Sequence, residues 1–98
     1  MKDLPVRPDA PLPLGSQHRG AAGTVADVVD RNESLGDEAQ STLARRLLEI
    51  GFVQGERWEV VGETWPGGDP MAVRIGNSTF ALRRKEANAI LVHVDPSP

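Results

Sequence analysis

The most suggestive chemical spacing in this 98-residue chain is Gly62-Glu63-Thr64-Trp65-Pro66-Gly67, with glycines at the first and sixth places of a phosphate-binding loop. Such a loop continues with lysine and a hydroxyl residue, which meet phosphate and magnesium. Here Gly68-Asp69 follows, and an acid in that place repels phosphate. The only histidines, His18 and His93, are far apart, and neither has a second ligand at helical or hairpin spacing. His93 with Asp95 comes nearest to a metal pair and reads better as a solvated strand end. Asp37, Glu38, Glu49, Glu56, Glu59 and Glu63 read as solvated faces rather than as a paired acid and base. No serine or threonine sits in a nucleophile elbow. No catalytic residue, cofactor site or metal ligand is therefore expected.

What remains is binding by surface. Arg83-Arg84-Lys85 is the strongest basic cluster, too small and too poor in aromatics for nucleic acid; it reads either as a solvated turn or as a docking patch for an acidic protein surface. Trp58 falls within a strand pattern and is expected in the core. Trp65 lies between Pro and Gly residues, where a large ring is harder to bury. It is read either as a binding anchor or as a lid over its own hairpin.

The elements that carry these groups follow from periodicity. Leu43, Leu47 and Ile50 keep the i, i+4, i+7 spacing of one helical face, widened by Ala44 and Leu48. Asp37 and Gln40 fit a capping box, so the helix is placed from about Glu38 to Ile50. Arg45 and Arg46 suit its C-terminal dipole. Gly51 follows as the left-handed stop, and Phe52 or Val53 folds back on the last turn. Gln54-Gly55 turns the chain into a strand over Glu56–Thr64. Earlier, Thr24–Val29 is the first strand, ended by turn formers from Asp30 to Gly36. Later, Met71, Val73 and Ile75 alternate with polar or small residues, and Gly76-Asn77 signals a two-residue hairpin back into Ser78–Leu82. Arg83–Asn88 is read as one helical turn or a 3₁₀ turn, and Ile90, Val92 and Val94 form the last strand.

Five short strands with one helix between the first and second describe a mainly β fold, a small closed or nearly closed barrel whose helix plugs one end. Residues 1–11, with Pro5, Pro8 and Pro11 three apart, are expected as a disordered leader. Residues 12–94 are the domain and 95–98 a frayed end. A net charge of −3 opposes nucleic acid and anionic membranes as main partners. With no cysteine there is no disulfide framework. No apolar run has the length of a membrane span or a secretion signal, so a cytoplasmic protein without direct membrane insertion is expected.

Arg46-Leu47-Leu48-Glu49-Ile50-Gly51-Phe52-Val53-Gln54-Gly55, followed by Trp58-Glu59-Val60-Val61, resembles the core motif of the FeoA family. Gly68-Asp69-Pro70-Met71-Ala72-Val73-Arg74-Ile75 is similar to that family's Gly-Asp-Pro strand opening. Phe80-Ala81-Leu82-Arg83-Arg84-Lys85-Glu86-Ala87 is similar to the segment before its final strand. The resemblance spans roughly Leu12 to Val94. It implies an SH3-like barrel and a non-enzymatic, cytosolic accessory protein of bacterial ferrous-iron uptake. The implied partner is the GTPase region of the FeoB permease. The contact surface is then expected at Trp65 with Gly67, Gly68 and Asp69, at the turn Phe52-Val53-Gln54, and at Arg83 and Arg84. A similar domain ends iron-dependent repressors, but no winged helix precedes this one, so a stand-alone protein is expected. The competing readings are a small Fe²⁺-binding or metal-sensing protein and a generic SH3-like peptide-binding module.

Overall fold

The computed structural model of the chain describes residues 10–29 and 37–96, with side chains of the helix from residue 42 onward. The greater part of the expected leader, the turn at 30–36, the Asp37/Gln40 capping side chains and residues 97–98 lie outside the described residues. In order, the elements are β1 (Leu12–Pro13), a 3₁₀ turn (Leu14–Ser16), β2 (Ala22–Val28), α1 (Asp37–Glu49), β3 (Arg57–Glu63), β4 (Met71–Ile75), β5 (Ser78–Leu82), α2 (Arg84–Ala87) and β6 (Ile90–Val94).

Six strands form one antiparallel sheet in the order β1-β6-β2-β3-β4-β5. The sequence suggested five; the sixth, β1, is only two residues long and pairs Leu12 with Val92 and Pro13 with Leu91. Ala26 in β2 and Val61 in β3 are extra residues that break the register with the neighbouring strand. Such bulges increase local twist and let a short sheet curl over its own core. Among the described residues no hydrogen-bonded pairing joins β1 to β5, so the barrel is nearly rather than fully closed. β1 and β5 remain as edges, where full closure would have removed them.

Alternation decides what the sheet encloses. Trp58 and Val60 of β3, Met71, Val73 and Ile75 of β4, and Ile90 and Val92 of β6 are all buried, as expected from period-two patterning. At Gly23 of β2 two backbones approach closely, because a Cβ there would sit 1.8 Å from the His93 carbonyl oxygen. The β4–β5 hairpin turns through Gly76-Asn77, with Gly76 at φ +59°. Positive φ at the first turn residue alone is the two-residue hairpin geometry that favours glycine.

The helix closes the core. Leu47 is fully buried, with Leu43 and Ile50 packed beside it, while Leu48 is 46% exposed and lies off the apolar stripe. Gly51 takes φ +123°, the Phe52 N–H donates to the Leu47 carbonyl at 3.0 Å, and the Phe52 ring goes fully inside. Burying a side chain of that kind contributes roughly 1.5–3 kcal/mol. Trp58 is 1% exposed, and its indole N–H has no hydrogen-bond partner among the described residues. Beyond the last strand, Arg57 donates to both oxygens of Asp95, at 2.5 and 3.3 Å, and the Asp95 N–H donates to the Ala22 carbonyl.

Candidate functional site

β3 runs outward to Glu63, and the chain then crosses Trp65-Pro66-Gly67-Gly68-Asp69-Pro70 before entering β4. Two local bonds fold this loop on itself. Thr64 Oγ1 donates to the Pro70 carbonyl at 2.9 Å, and the Gly68 N–H donates to the Thr64 carbonyl. Gly68 has φ +75°, a conformation that costs glycine least.

The loop is held from below by Arg84, whose side chain is only 20% exposed. Its Nε donates to the Gly68 carbonyl at 2.8 Å, and Nη1 donates to the carbonyls of Gly15 at 3.0 Å and Gln17 at 2.6 Å. Its Nη2 donates to Glu63 Oε2, and its backbone N–H donates to Asp69 Oδ1 at 3.0 Å. A planar guanidinium can satisfy acceptors from several segments at once, which a lysine cannot. Arg84 reaches them because α2 starts at the end of β5, beside the start of β4. Gly15 is required in the opposing turn, since a Cβ there would meet the Arg84 carbonyl at 2.5 Å.

Glu63 is the second hub. His18 Nδ1 lies 3.0 Å from Oε2, and the Arg19 N–H donates to Oε1 at 3.1 Å. These hydrogen bonds, His18 first and the Arg19 amide second, together with the charges of His18 and Arg84, hold its carboxyl below the usual glutamate range. An ionised carboxylate only accepts, so Nδ1 of His18 carries the hydrogen in this contact. With its lone pairs occupied by donors, Glu63 is a fastener here, not a free base.

Above this base, Trp65 is 88% exposed. The ring does not lie over its own hairpin. A shallow hollow lined by Arg19, Glu63, Thr64, Pro66 and Gly67 opens at its foot. Gly67 is exposed with open space around it, and Asp69 is exposed and bonded to the Arg84 backbone. Arg83 is exposed at the same end of the sheet.

The structure therefore brings together Trp65, Gly67, Gly68, Asp69, Arg83 and Arg84, but with one change of role. Arg84 spends its guanidinium inside the protein and is a support, not a free contact. The turn Phe52-Val53-Gln54 is separate. It lies before β3 while the tryptophan loop lies after it, so the length of a seven-residue strand, about 20 Å, divides them. Val53 and Gln54 are exposed there, but Phe52 is 0% exposed and is withdrawn from any contact surface, because its ring caps the core. Sequence reasoning missed Gly15, Gln17, His18, Arg19 and Glu63. Their partners lie many residues away, and no periodicity marks them. Among the described residues, no three His, Asp or Glu side chains gather at metal-binding distance.

A family profile described as the FeoA domain matches residues 12–94. The chain belongs to the FeoA family. It is 36% identical to FeoA of Stenotrophomonas maltophilia, over 84% of this chain and 87% of that one, with a TM-score of 0.66. That crystal structure is a zinc complex of what is described as a prokaryotic SH3-domain protein. The FeoA-like protein of Clostridium acetobutylicum is 26% identical over 91% of this chain and 92% of that one, with a TM-score of 0.73. A manganese-dependent transcriptional repressor shares the fold at 24% identity, with the match covering 44% of the repressor. No curated protein matches significantly. The FeoA fold is SH3-like, and the family is linked to ferrous iron transport.

Proposed function

We propose that this FeoA chain is a non-enzymatic accessory protein that docks on the cytosolic GTPase region of the FeoB permease and alters its assembly or activity. The observation that carries this reading is an 88%-exposed tryptophan on a loop fixed by Arg84. A large ring pre-positioned in solvent loses little freedom on binding, which is what makes tryptophan a frequent hot spot. The Stenotrophomonas relative, described as a candidate activating factor of ferrous iron transport, supports the same direction.

The test is calorimetric titration of the permease's soluble domain with wild type, Trp65→Ala, and Val53→Ser with Gln54→Ala. Loss of the ring is expected to weaken binding about thirtyfold, on the order of 2 kcal/mol. The turn variant, at the far end of β3, is expected to bind like wild type. Equal affinity for Trp65→Ala, or no binding by wild type, overturns the reading. The zinc in the Stenotrophomonas complex motivates the competing metal-binding reading. Anaerobic titration with Fe²⁺ separates the two, since the adapter reading expects no stoichiometric micromolar site.

A further inference from the structure

The sheet has two edges, and they are not alike. β1 is two residues long, contains Pro13 and follows Pro11, which is how an edge is commonly blunted. β5, Ser78-Thr79-Phe80-Ala81-Leu82, has neither proline nor charge. It pairs with β4 over its whole length, and among the described residues its backbone makes no bond on the other side. A two-residue hairpin closes on a hydrogen-bonded pair, here Ile75 and Ser78. Ser78, Phe80 and Leu82 therefore turn their backbone groups to β4, and Thr79 and Ala81 turn theirs to solvent. Both residues are exposed.

Two features beside this edge describe what would pair with it. Ala81, Ala72 and Gly62 are cross-strand neighbours, so the sheet surface flanking the edge is low and admits side chains of an added strand. At the edge's C-terminal end stand Arg83 and Lys85, both exposed and without an ion-pair partner among the described residues. Arg84 between them is consumed by its clamp. The charges left over are thus two cations, with the exposed Asp69 carboxylate held on the Arg84 N–H between them, at one end of an uncharged ladder.

We propose that β5 accepts an additional antiparallel strand, an extended segment of a partner protein whose N-terminal end is acidic. Its backbone pairs with Thr79 and Ala81, and its carboxylates meet Arg83 and Lys85. A second copy of this chain fits less well, because antiparallel β5–β5 pairing sets Arg83 opposite a neutral Asn77. The inference does not rest on the permease reading and holds for any protein with such a segment.

The probe is a capped heptapeptide of two glutamates followed by alternating threonine and valine, titrated into the full chain and followed by amide NMR. Saturable shifts at Thr79 and Ala81 are expected, with slowed hydrogen exchange at both. The same peptide with lysines for the glutamates should bind at least fivefold more weakly. Ala81→Pro removes an outward N–H at an edge position where proline is tolerated, and should abolish binding. Arg83→Glu leaves the ladder intact and should abolish the preference for the acidic peptide. No saturable binding up to millimolar peptide, equal affinity for both peptides, or unchanged binding by Ala81→Pro overturns the proposal. So does protection of the Thr79 and Ala81 amides in peptide-free protein that rises with concentration, which assigns the edge to a second copy.

Discussion

Arg84 and Glu63 form an ion pair in which each member is also fastened to the N-terminal arm. Arg84 donates to the carbonyls of Gly15 and Gln17, and Glu63 accepts from Arg19 and His18. The pair thus joins three stretches of chain: residues 15–19, the end of β3 and the start of α2. The tryptophan loop rests on that junction through Gly68.

Arg84→Ala is expected to lower stability by about 2–3 kcal/mol, since it strips a charged donor from four partly buried acceptors. Arg84→Lys should recover less than half, because a point charge cannot span them. Urea denaturation of the three proteins measures both. A loss below about 0.5 kcal/mol for alanine would show that the junction carries little.

Glu63 makes acid stability a direct readout. Its folded carboxyl titrates below the ordinary range near 4.3, so its contribution is present above that range and is lost as pH falls through the lower folded value. Asp95, lowered by the hydrogen bond from Arg57, behaves the same way. Denaturation midpoints measured from pH 6 to pH 2.5 should fall less steeply for Glu63→Gln than for wild type. Identical slopes would remove Glu63 from the account.

The two tryptophans should separate by quenching. Trp65 is exposed and Trp58 is 1% exposed, so iodide should quench one component of the emission and spare the other. Trp65→Phe should eliminate the quenchable component with a stability change within about 0.5 kcal/mol, as at most surface sites. A single uniformly quenched population would contradict the placement of both rings.

Glycines test the close approaches. A Cβ at Gly23 would meet the His93 carbonyl oxygen at 1.8 Å, and Gly67 has open space and no positive φ. Gly23→Ala should therefore cost about 2–3 kcal/mol by forcing β2 from β6, and Gly67→Ala about nothing. Thermal or urea midpoints of the pair decide it.

Much of the scaffold was legible because it depends on local spacing. The Leu43/Leu47/Ile50 stripe, the Gly51 stop, the Gly76-Asn77 turn and the alternation in β4 and β6 each bury or turn in the way that periodicity demands. Leu48, read with Ala44 as widening the stripe, faces water at 46%. β1 has too few residues to show a period. Glu63 looked like any strand carboxylate, since its partners are 44 and 45 positions upstream and 21 downstream. For Trp65 the Pro/Gly context leaves an anchor and a lid over its own hairpin both open, and the ring is 88% exposed. The role of Arg84 is obscured in the sequence by its two cationic neighbours, which are exposed and share none of its carbonyl acceptors.

The dependence of the loop on Gly15 and Gln17 has a practical corollary. A shortened chain beginning at His18 would keep all the long strands of the sheet and could pass for intact by its circular dichroism. It would nevertheless leave Nη1 of the arginine fork without its two carbonyl acceptors, and so weaken the support under the tryptophan loop. Trimming at the front of this molecule would thus be felt at a place far along the sequence, beneath a ring some fifty residues downstream.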